Sequence, residues 1–428
     1  MHNVHTRNTV RYYILIVLVL SFLFFSNDFG LTDVQKTAIV MAVGIDREDD
    51  EFILTSQIAV PQPSKQGNAS QAVQLVSRGK TVAEAFEQIN AKTGWYPKLV
   101  FCKLIILGKK TAEENVFDAL DYFLLDEYLS DGCLVATCDT LAKDLLNTSA
   151  LVDQSSSVAM TKILSSHAQR VGTVLPNTLR AFAASYFSDG KSGYLPILKT
   201  APQQEKIGAN GESNAGENQN SSQGGQSGQS GQGGQGGQGG QSGQSSGADS
   251  NAQKGQNGDK PVFSAQETAL FVAGKRVGTL TAEETFAFNA VKNQLRLAAY
   301  SVEEKDAVCT LSIKQNSPKR KLTVGKDGRA VFEISLSLTA GLLDNSSALP
   351  LDKITDSGDV SDAVFTAAQK KLGGEIKTLF EKTKSLGCDI FGIREQFFKY
   401  GKRGLQNHQD TLLSNTSPVI RVHFRNVR

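Results

Sequence analysis

The chain has 428 residues, a formal net charge of +2 and 7% aromatic residues. A chain of this length can form two or three globular domains, and its nearly balanced charge gives no sign of a nucleic-acid-binding surface. It has five cysteines, Cys102, Cys133, Cys138, Cys309 and Cys388, but no second close pair or nearby histidine completes a zinc site. We expect buried thiols, with a Cys133–Cys138 disulfide as the alternative.

The N-terminus carries an apolar run at residues 12–25, preceded by Arg7 and Arg11. A positive segment followed by an apolar one is typical of an export signal, and a buried core helix is the weaker alternative. The run would give a helix of about 21 Å, shorter than the ~30 Å hydrocarbon core, so it needs bilayer thinning or flanking residues to span. No small-residue cleavage site follows. We therefore expect residues 1–30 to be a retained signal anchor, with the rest of the chain outside the cytoplasm.

The N-terminal region, residues 31–200, alternates strand and helix patterns. Thr37–Ile45 and the alternating residues 52–60 predict a β-hairpin. Thr81 predicts the start of a helix with one apolar face. Further elements in chain order are a buried strand at Leu99–Leu107, a capping box at Thr111 and Glu114 that opens a second helix, and a short strand at Cys133–Cys138.

Residues 201–261 have a different composition, which becomes purely Gly, Gln and Ser between Gln223 and Gly247. Such a segment cannot bury enough apolar area to offset the entropy of ordering it. We expect a disordered linker. It separates the N-terminal region from the C-terminal region and would let the two halves move independently.

The C-terminal region, residues 262–428, begins with a strand pattern at Ala269–Ala273. Thr281 and Glu284 form a second predicted capping box. Three segments then predict an antiparallel meander, a long helix is predicted near Asp362–Leu386, and the strand Val419–Phe424 closes the sheet. The meander segments are Val308–Ile313, Lys321–Val324 and Val331–Thr339. The whole pattern predicts an α/β (α+β mixed) fold, a multi-domain ectodomain of mixed, largely antiparallel sheets with packed helices.

Motifs that carry chemistry are scarce. Gly79-Lys80-Thr81 lacks the earlier glycine of a phosphate-binding loop, because position 74 is Gln, so a capped helix start is the better interpretation. Strings that fit G-x-G-x-x-G and G-x-S-x-G occur only in the linker, without the flanking strand and helix that both motifs need. The five histidines show no metal-ligand spacing. We therefore predict no enzymatic activity and no catalytic, cofactor-binding or metal-binding residues.

One basic cluster, Lys319-Arg320-Lys321, allows two interpretations. It can protect a strand edge from unwanted pairing. The alternative is a site for a lipid headgroup.

Several short motifs stand in the order found in one known family. In the N-terminal region they are Gly44-Ile45-Asp46 after a strand, Leu54–Ile58 before Pro61, Gly79–Phe86, and Tyr194-Leu195-Pro196. In the C-terminal region they are Ala269-Leu270-Phe271, Lys275–Leu280 with Glu284-Thr285, and Cys388-Asp389-Ile390-Phe391-Gly392. The ordered set resembles the Ger(x)C family, the C subunits of nutrient germinant receptors in spore-forming Firmicutes.

The resemblance implies a non-enzymatic subunit outside the inner spore membrane, with the receptor A and B subunits as its partners. It also implies an α/β body of three domains. The sequence departs from the family at Ser26–Gly30, where the lipid-bearing cysteine is missing and the first cysteine of the chain is Cys102. The uncleaved helix would then replace the lipid as the anchor.

The leading hypothesis is a germinant-receptor C subunit that acts without catalysis, and whether it binds a small-molecule germinant stays open. The alternative is a stand-alone membrane-anchored cell-envelope binding protein, and an extracytoplasmic hydrolase is a third hypothesis. Asp46 and Asp389 are the acids that match the family motifs. Each lies close to a turn glycine, so we expect both to cap turns.

Overall fold

The computed structural model describes residues 11–22, 37–59, 72–150, 153, 155–165, 170, 172–201, 262–304, 307–346, 359–400 and 411–427. The strands are β1 (Thr37–Glu48), β2 (Glu51–Ala59), β3 (Ala72–Gly79), β4 (Tyr96–Lys98), β5 (Leu104–Leu107), β6 (Leu134–Cys138), β7 (Asn177–Thr178), β8 (Ser192–Ala201), β9 (Val262–Val272), β10 (Lys275–Leu280), β11 (Ala298–Glu304), β12 (Ala307–Val324), β13 (Ala330–Asn345) and β14 (Thr416–Asn426). The helices are α1 (residues 11–22), α2 (Val82–Thr93), α3 (Lys109–Glu113), α4 (Phe117–Leu125), α5 (Ala142–Asn147), α6 (Ser156–Ile163), α7 (Leu179–Phe187), α8 (Ala282–Val291), α9 (Asp362–Ser385) and α10 (Ile393–Tyr400).

The larger sheet has ten strands, eight of them in the order β10-β9-β8-β6-β5-β1-β2-β3. Its middle is parallel, since β1, β5, β6 and β8 run in the same direction. The sequences of these central strands are continuous apolar runs, because both faces of a parallel sheet are covered. Antiparallel strands extend the sheet on both sides, so it is mixed, as the sequence predicts.

The predicted first hairpin is confirmed. β1 and β2 pair antiparallel out to Glu48 and Glu51, and Asp49 in the turn has a φ of 51°. The Leu99–Leu107 strand is only partly confirmed. Its first half is a turn in which the Cys102 amide donates to the Leu99 carbonyl, and only Leu104–Leu107 forms a strand, β5.

The sheet crosses the boundary between the two halves of the sequence. β9, from the C-terminal region, pairs antiparallel with β8, from the N-terminal region, and Ala201 is the direct partner of Val262. The described residues on either side of the Gly/Gln/Ser tract therefore belong to one compact unit. This differs from the expected independent movement of the halves, because main-chain hydrogen bonds join them in one sheet. Residues 202–261, most of the predicted linker, lie outside the described residues.

Replacing residues 202–261 with a four-residue turn should preserve the fold and raise the free energy of unfolding. The strand ends to be joined are already paired partners, and shortening a loop from about 60 to about 4 residues lowers the closure entropy by about 2 kcal/mol. Denaturant titration of both proteins measures the difference. A loss of stability would contradict the β8–β9 pairing.

The smaller sheet has the order β11-β12-β13-β14. The sequence predicts separate strands at Val308–Ile313 and Lys321–Val324, and this is wrong, because both belong to the single strand β12. β14 closes the sheet as predicted, but it pairs parallel to β13. The predicted long helix is confirmed as α9, which packs across β14 and β11.

Two of the three predicted helix starts are confirmed. Thr81 accepts a hydrogen bond from the Glu84 amide, and Thr281 forms a complete capping box with Glu284. The capping box at Thr111 is wrong. Thr111 lies inside α3, where its buried hydroxyl donates to the Ile45 carbonyl at 3.0 Å.

All five cysteines are buried, and the structure has no Cys133–Cys138 disulfide. Burial raises the pKa of Cys138 and of Cys388 to about 12. The pKa of Cys133 is raised mainly by a hydrogen bond with Cys102, and burial is the second largest cause. Thiolate, the reactive form, is therefore suppressed at these three residues.

A disulfide-exchange thiol reagent should accordingly label no cysteine in the native protein and all five after unfolding in denaturant. The count follows from the absorbance of the released chromophore. Rapid labelling of a native cysteine at neutral pH would show that its thiol is accessible, contrary to the structure.

The N-terminal helix α1 exposes all of its side chains. Within the described ranges, no helix combines the length and the hydropathy required to cross a bilayer. The end of the predicted anchor, residues 23–30, lies outside those ranges.

Candidate functional site

The candidate site is a polar cleft of about 330 Å³ between the two sequence regions. Its N-terminal wall comes from α7, the turn after it and the start of β8. Its C-terminal wall comes from the end of α8, from β12 and from the turn before α10. The residues discussed below are Ser192, Tyr194, Lys292, Arg320, Asp389 and Glu395, and we call this site the Asp389 cleft.

Asp389 lies at the base of the cleft with 4% of its surface exposed. Its two carboxylate oxygens accept hydrogen bonds from the amides of Ile393 and Arg394, each at 2.8 Å. These are free amides of the first turn of α10, so the carboxylate caps that helix. Burial raises the pKa of Asp389, and the amide hydrogen bonds only partly offset this. The predicted capping role of Asp389 is confirmed.

The same residue joins the two sequence regions. The Asp389 amide donates to Ser192 Oγ at 2.9 Å, and the Ser192 hydroxyl donates to the Gly190 carbonyl at 2.7 Å. The turn that follows Asp389 therefore has a fixed position against the start of β8. It ends at Gly392, whose φ of 72° is favourable for glycine.

Phe391 anchors this turn in the core. It is 3% exposed, and its ring centroid lies 5.6 Å from Phe288, 6.2 Å from Phe332 and 5.3 Å from Phe380. These partners belong to α8, β13 and α9. The Asp-Ile-Phe-Gly motif thus combines a helix cap, an aromatic anchor and a left-handed glycine, which explains its residue types by structure.

Lys292 forms the inner wall at the C-terminal end of α8. Its ammonium lies 5.7 Å from the ring centroid of Tyr194 and 5.8 Å from that of Phe288, which allows cation–π attraction. Burial is the main cause that lowers the pKa of Lys292, and the positive charge of Arg320 lowers it further. Burial also raises the pKa of Tyr194 to about 12. Both groups thus sit in a poorly solvated wall.

Asp46, the second acid of the family motifs, caps a helix as well, but a distant one. It is 2% exposed, and its carboxylate accepts from the amides of Ala142 at 2.8 Å and Lys143 at 3.0 Å, at the start of α5. Gly108 leaves the space for it, since a Cβ there would come within 1.9 Å of Asp46 Oδ1. The prediction that Asp46 caps its own turn is wrong, because its carboxylate caps the distant start of α5.

A second cavity of about 440 Å³ lies beside the start of β1 and is lined mostly by carbon atoms. Ile39, Met41, Phe101 and Val158 form its walls, and Lys103 stands among them. It offers apolar contact and few polar partners, so it gives no basis for chemistry.

The described residues contain no group of three or more His, Cys, Asp or Glu that could hold a metal ion. Among the described residues the only histidine is His423, on β14, which lies outside the Asp389 cleft. The described part of the cleft therefore has no histidine that could act as a base for its serines.

Sequence reasoning identified Asp389 by its motif and Arg320 as part of a basic cluster. It missed Lys292 and Ser192, and it noted Tyr194 only as part of a strand motif. These residues come from separate elements that only the fold brings together, so no local signal marks them.

Comparison with known proteins gives two family matches. The model described as "Spore germination protein N-terminal domain" matches residues 31–200, and the model described as "Spore germination B3/ GerAC like, C-terminal" matches residues 266–422. A comparison with curated protein sequences gives no significant match. The crystal structure of the GerBC protein is similar to this chain, with a TM-score of 0.50 and 16% identity over 90% of this chain and 97% of that one. At that identity the likeness shows a shared fold.

Both matched models describe proteins of spore germination, and together they span most of the sequence outside the N-terminal helix and the Gly/Gln/Ser tract. The mixed α/β fold agrees with this class. The chain belongs to the GerAC-like, or Ger(x)C, family of spore germination proteins.

Proposed function

We propose that the chain is the non-enzymatic C subunit of a nutrient germinant receptor and acts in spore germination through association with the A and B receptor subunits. The observation that carries this proposal is the pair of family matches, in order, over residues 31–200 and 266–422.

The proposed location is the extracytoplasmic face of the spore inner membrane, with residues 12–25 as the anchor. The helical residues 11–22 support this, since their apolar side chains are exposed; Leu15, Val17 and Leu18 are each more than half exposed. A contiguous exposed apolar surface of this kind usually marks an interaction with a membrane or another protein.

Purification of the full chain from spore inner membranes in mild detergent, followed by mass spectrometry, tests the association. We expect a multi-pass permease-like subunit and an A-type subunit in fixed ratio. Residues 1–30 fused to an unrelated carrier serve as the control for non-specific membrane contact. Recovery of neither subunit would favour the alternative, a stand-alone membrane-anchored envelope binding protein, for which the Asp389 cleft would be the binding site.

A protease site inserted between Phe25 and Leu31 tests the anchor. Protease added outside intact protoplasts should release the body from the membrane. The matched control carries the same site within residues 202–261, where cleavage should leave both fragments together, because β8 and β9 remain paired. A body that stays on the membrane after cleavage at the first site would refute the anchor.

A further inference from the structure

The turn before β5 carries two large apolar side chains at its tip. The Cys102 amide donates to the Leu99 carbonyl at 2.8 Å, so Val100 and Phe101 occupy the two central positions of the turn. Val100 is 45% exposed and Phe101 is 55% exposed. Leu99 and Cys102 are buried and hold the two ends of the turn in the core. Central turn positions usually carry Gly, Asn, Asp or Ser, so this turn exposes apolar area where polar residues are the rule.

The exposed apolar surface continues from the turn into the cavity of about 440 Å³ beside the start of β1. Phe101 forms one wall of this cavity, and Val158 of α6, which is also exposed, forms another. Ile39 and Met41 of β1 contribute half-buried side chains. Contiguous exposed apolar surface usually marks an interaction with a membrane or with another protein.

Lysines lie next to this apolar surface. Lys98 and Lys103 flank the turn in the sequence, and Lys103 lines the cavity together with Lys162, which forms an ion pair with Asp153. At a bilayer surface, phosphate groups lie directly above hydrocarbon, and a long lysine side chain can reach the phosphate level while its neighbours contact the apolar layer. An apolar tip between two lysines matches this layering, which favours a lipid surface over a protein partner.

The position of the turn relative to the proposed anchor is a separate argument. β1 and β5 are parallel neighbours, so the turn that precedes β5 lies at the edge of the sheet where β1 begins. The Lys103 amide donates to the Met41 carbonyl at 2.9 Å and joins the turn to β1. Only residues 26–36 separate the apolar run, which ends at Phe25, from Thr37, and a chain of that length spans at most roughly 40 Å. The anchor would therefore hold this edge of the sheet near the bilayer.

We propose that the Val100–Phe101 turn inserts into the headgroup layer of a bilayer that contains anionic phospholipid, with Lys98 and Lys103 at the phosphates. The proposal rests on the proposed membrane location and adds a second contact to the anchor. Two apolar side chains and two lysines give only weak, reversible binding by themselves. The anchor makes this contact intramolecular and so raises its occupancy. The contact orients the body on the membrane, and a body released by protease should still leave it.

Spin labelling of the purified full chain, reconstituted in vesicles, tests the contact. Val100→Cys places a thiol at the exposed tip and keeps Phe101, while the native cysteines are buried. Oxygen concentrates in hydrocarbon and a nickel complex stays in water, so the ratio of the two accessibilities of a nitroxide reports its immersion. Leu141→Cys is the matched control, because Leu141 is also exposed but follows β6, at the opposite edge of the parallel strands. We expect the ratio at the tip to be several times that of the control.

Two further substitutions, Phe101→Ser and Lys103→Gln, should each lower the ratio of the Val100→Cys label toward that of the control. Vesicles of phosphatidylcholine alone should give a lower ratio than vesicles that also contain phosphatidylglycerol. Flotation of the vesicles shows separately whether the chain is bound. A bound chain with equal ratios at both labels would overturn the contact, leave the anchor intact and favour a protein partner for the turn. A chain that does not float would refute the anchor and the contact together.

Discussion

Replacing Phe391 with alanine should lower the free energy of unfolding by about 3–5 kcal/mol, the range for removal of a buried aromatic ring. Phe391 is 3% exposed and contacts the rings of Phe288, Phe332 and Phe380. The substitution leaves a cavity where α8, α9 and β13 meet. Denaturant titration followed by circular dichroism measures the loss.

Phe187→Ala is the matched control, because that ring is 73% exposed. It should change the free energy of unfolding by less than about 1 kcal/mol. If both substitutions had equal effects, the Phe391 ring could not be packed as the structure has it.

Asp46→Ala should lower the free energy of unfolding by about 2–4 kcal/mol, since it removes the acceptor of two amides and a buried unpaired group costs about 1–3 kcal/mol. The amides of Ala142 and Lys143 at the start of α5 would lose their partner. Asp46→Asn keeps one acceptor oxygen and should cost less. Glu303→Ala, at an exposed position of β11, is the control and should have little effect.

Asp46 should also make the free energy of unfolding depend on pH, in a direction that follows from its pKa shift. Burial, the largest cause, raises the pKa of Asp46 above its ordinary value, although two amide hydrogen bonds oppose the shift. The folded state therefore retains a proton that the unfolded state has lost. The stability contributed by Asp46 is complete below the unfolded pKa of about 4 and declines as pH rises through the folded pKa.

Comparison of the wild type with Asp46→Asn isolates this dependence, because all other groups titrate in both proteins. The free energy of unfolding of the wild type, relative to that of Asp46→Asn, should fall as pH rises from about 4 toward neutrality. A difference that grew with pH would mean that the hydrogen bonds outweigh burial.

Local signals in the sequence were reliable where the structure is locally determined. Thr81 and Thr281 cap helices because their partners lie three residues away. Thr111 has the same local pattern, but Glu114 forms an ion pair with Arg47, and the Thr111 hydroxyl bonds to the β1 carbonyl of Ile45. A tertiary contact replaced the local one, and the sequence pattern could not show it.

The long strand β12 shows a second limit. Pro318 suggests a break, yet it pairs with Leu336 of β13 inside the strand. β11 covers β12 only as far as Ile313. Beyond that point no described strand pairs with this side of β12, so proline is tolerated. The basic cluster Lys319–Lys321 lies on this stretch, as expected of residues that protect an edge.

The candidate site was predictable only in part. The Asp-Ile-Phe-Gly motif marked Asp389, and its cap is local, four and five residues along the chain. The partners of Asp46 lie about a hundred residues away in sequence. Lys292, Arg320 and Tyr194 come from three elements in two regions, so their convergence depends on the complete fold.

The shared sheet has a practical consequence for producing the protein in parts. β9 and β10 belong to the second matched family region by sequence, but they extend the sheet of the first. Residues 31–200 alone would leave β8 with a row of free main-chain donors and acceptors, a template for aggregation. The remainder would carry a two-stranded ribbon with no sheet to join. We therefore expect neither half to be soluble by itself, and co-expression of the two, divided within residues 202–261, to restore solubility.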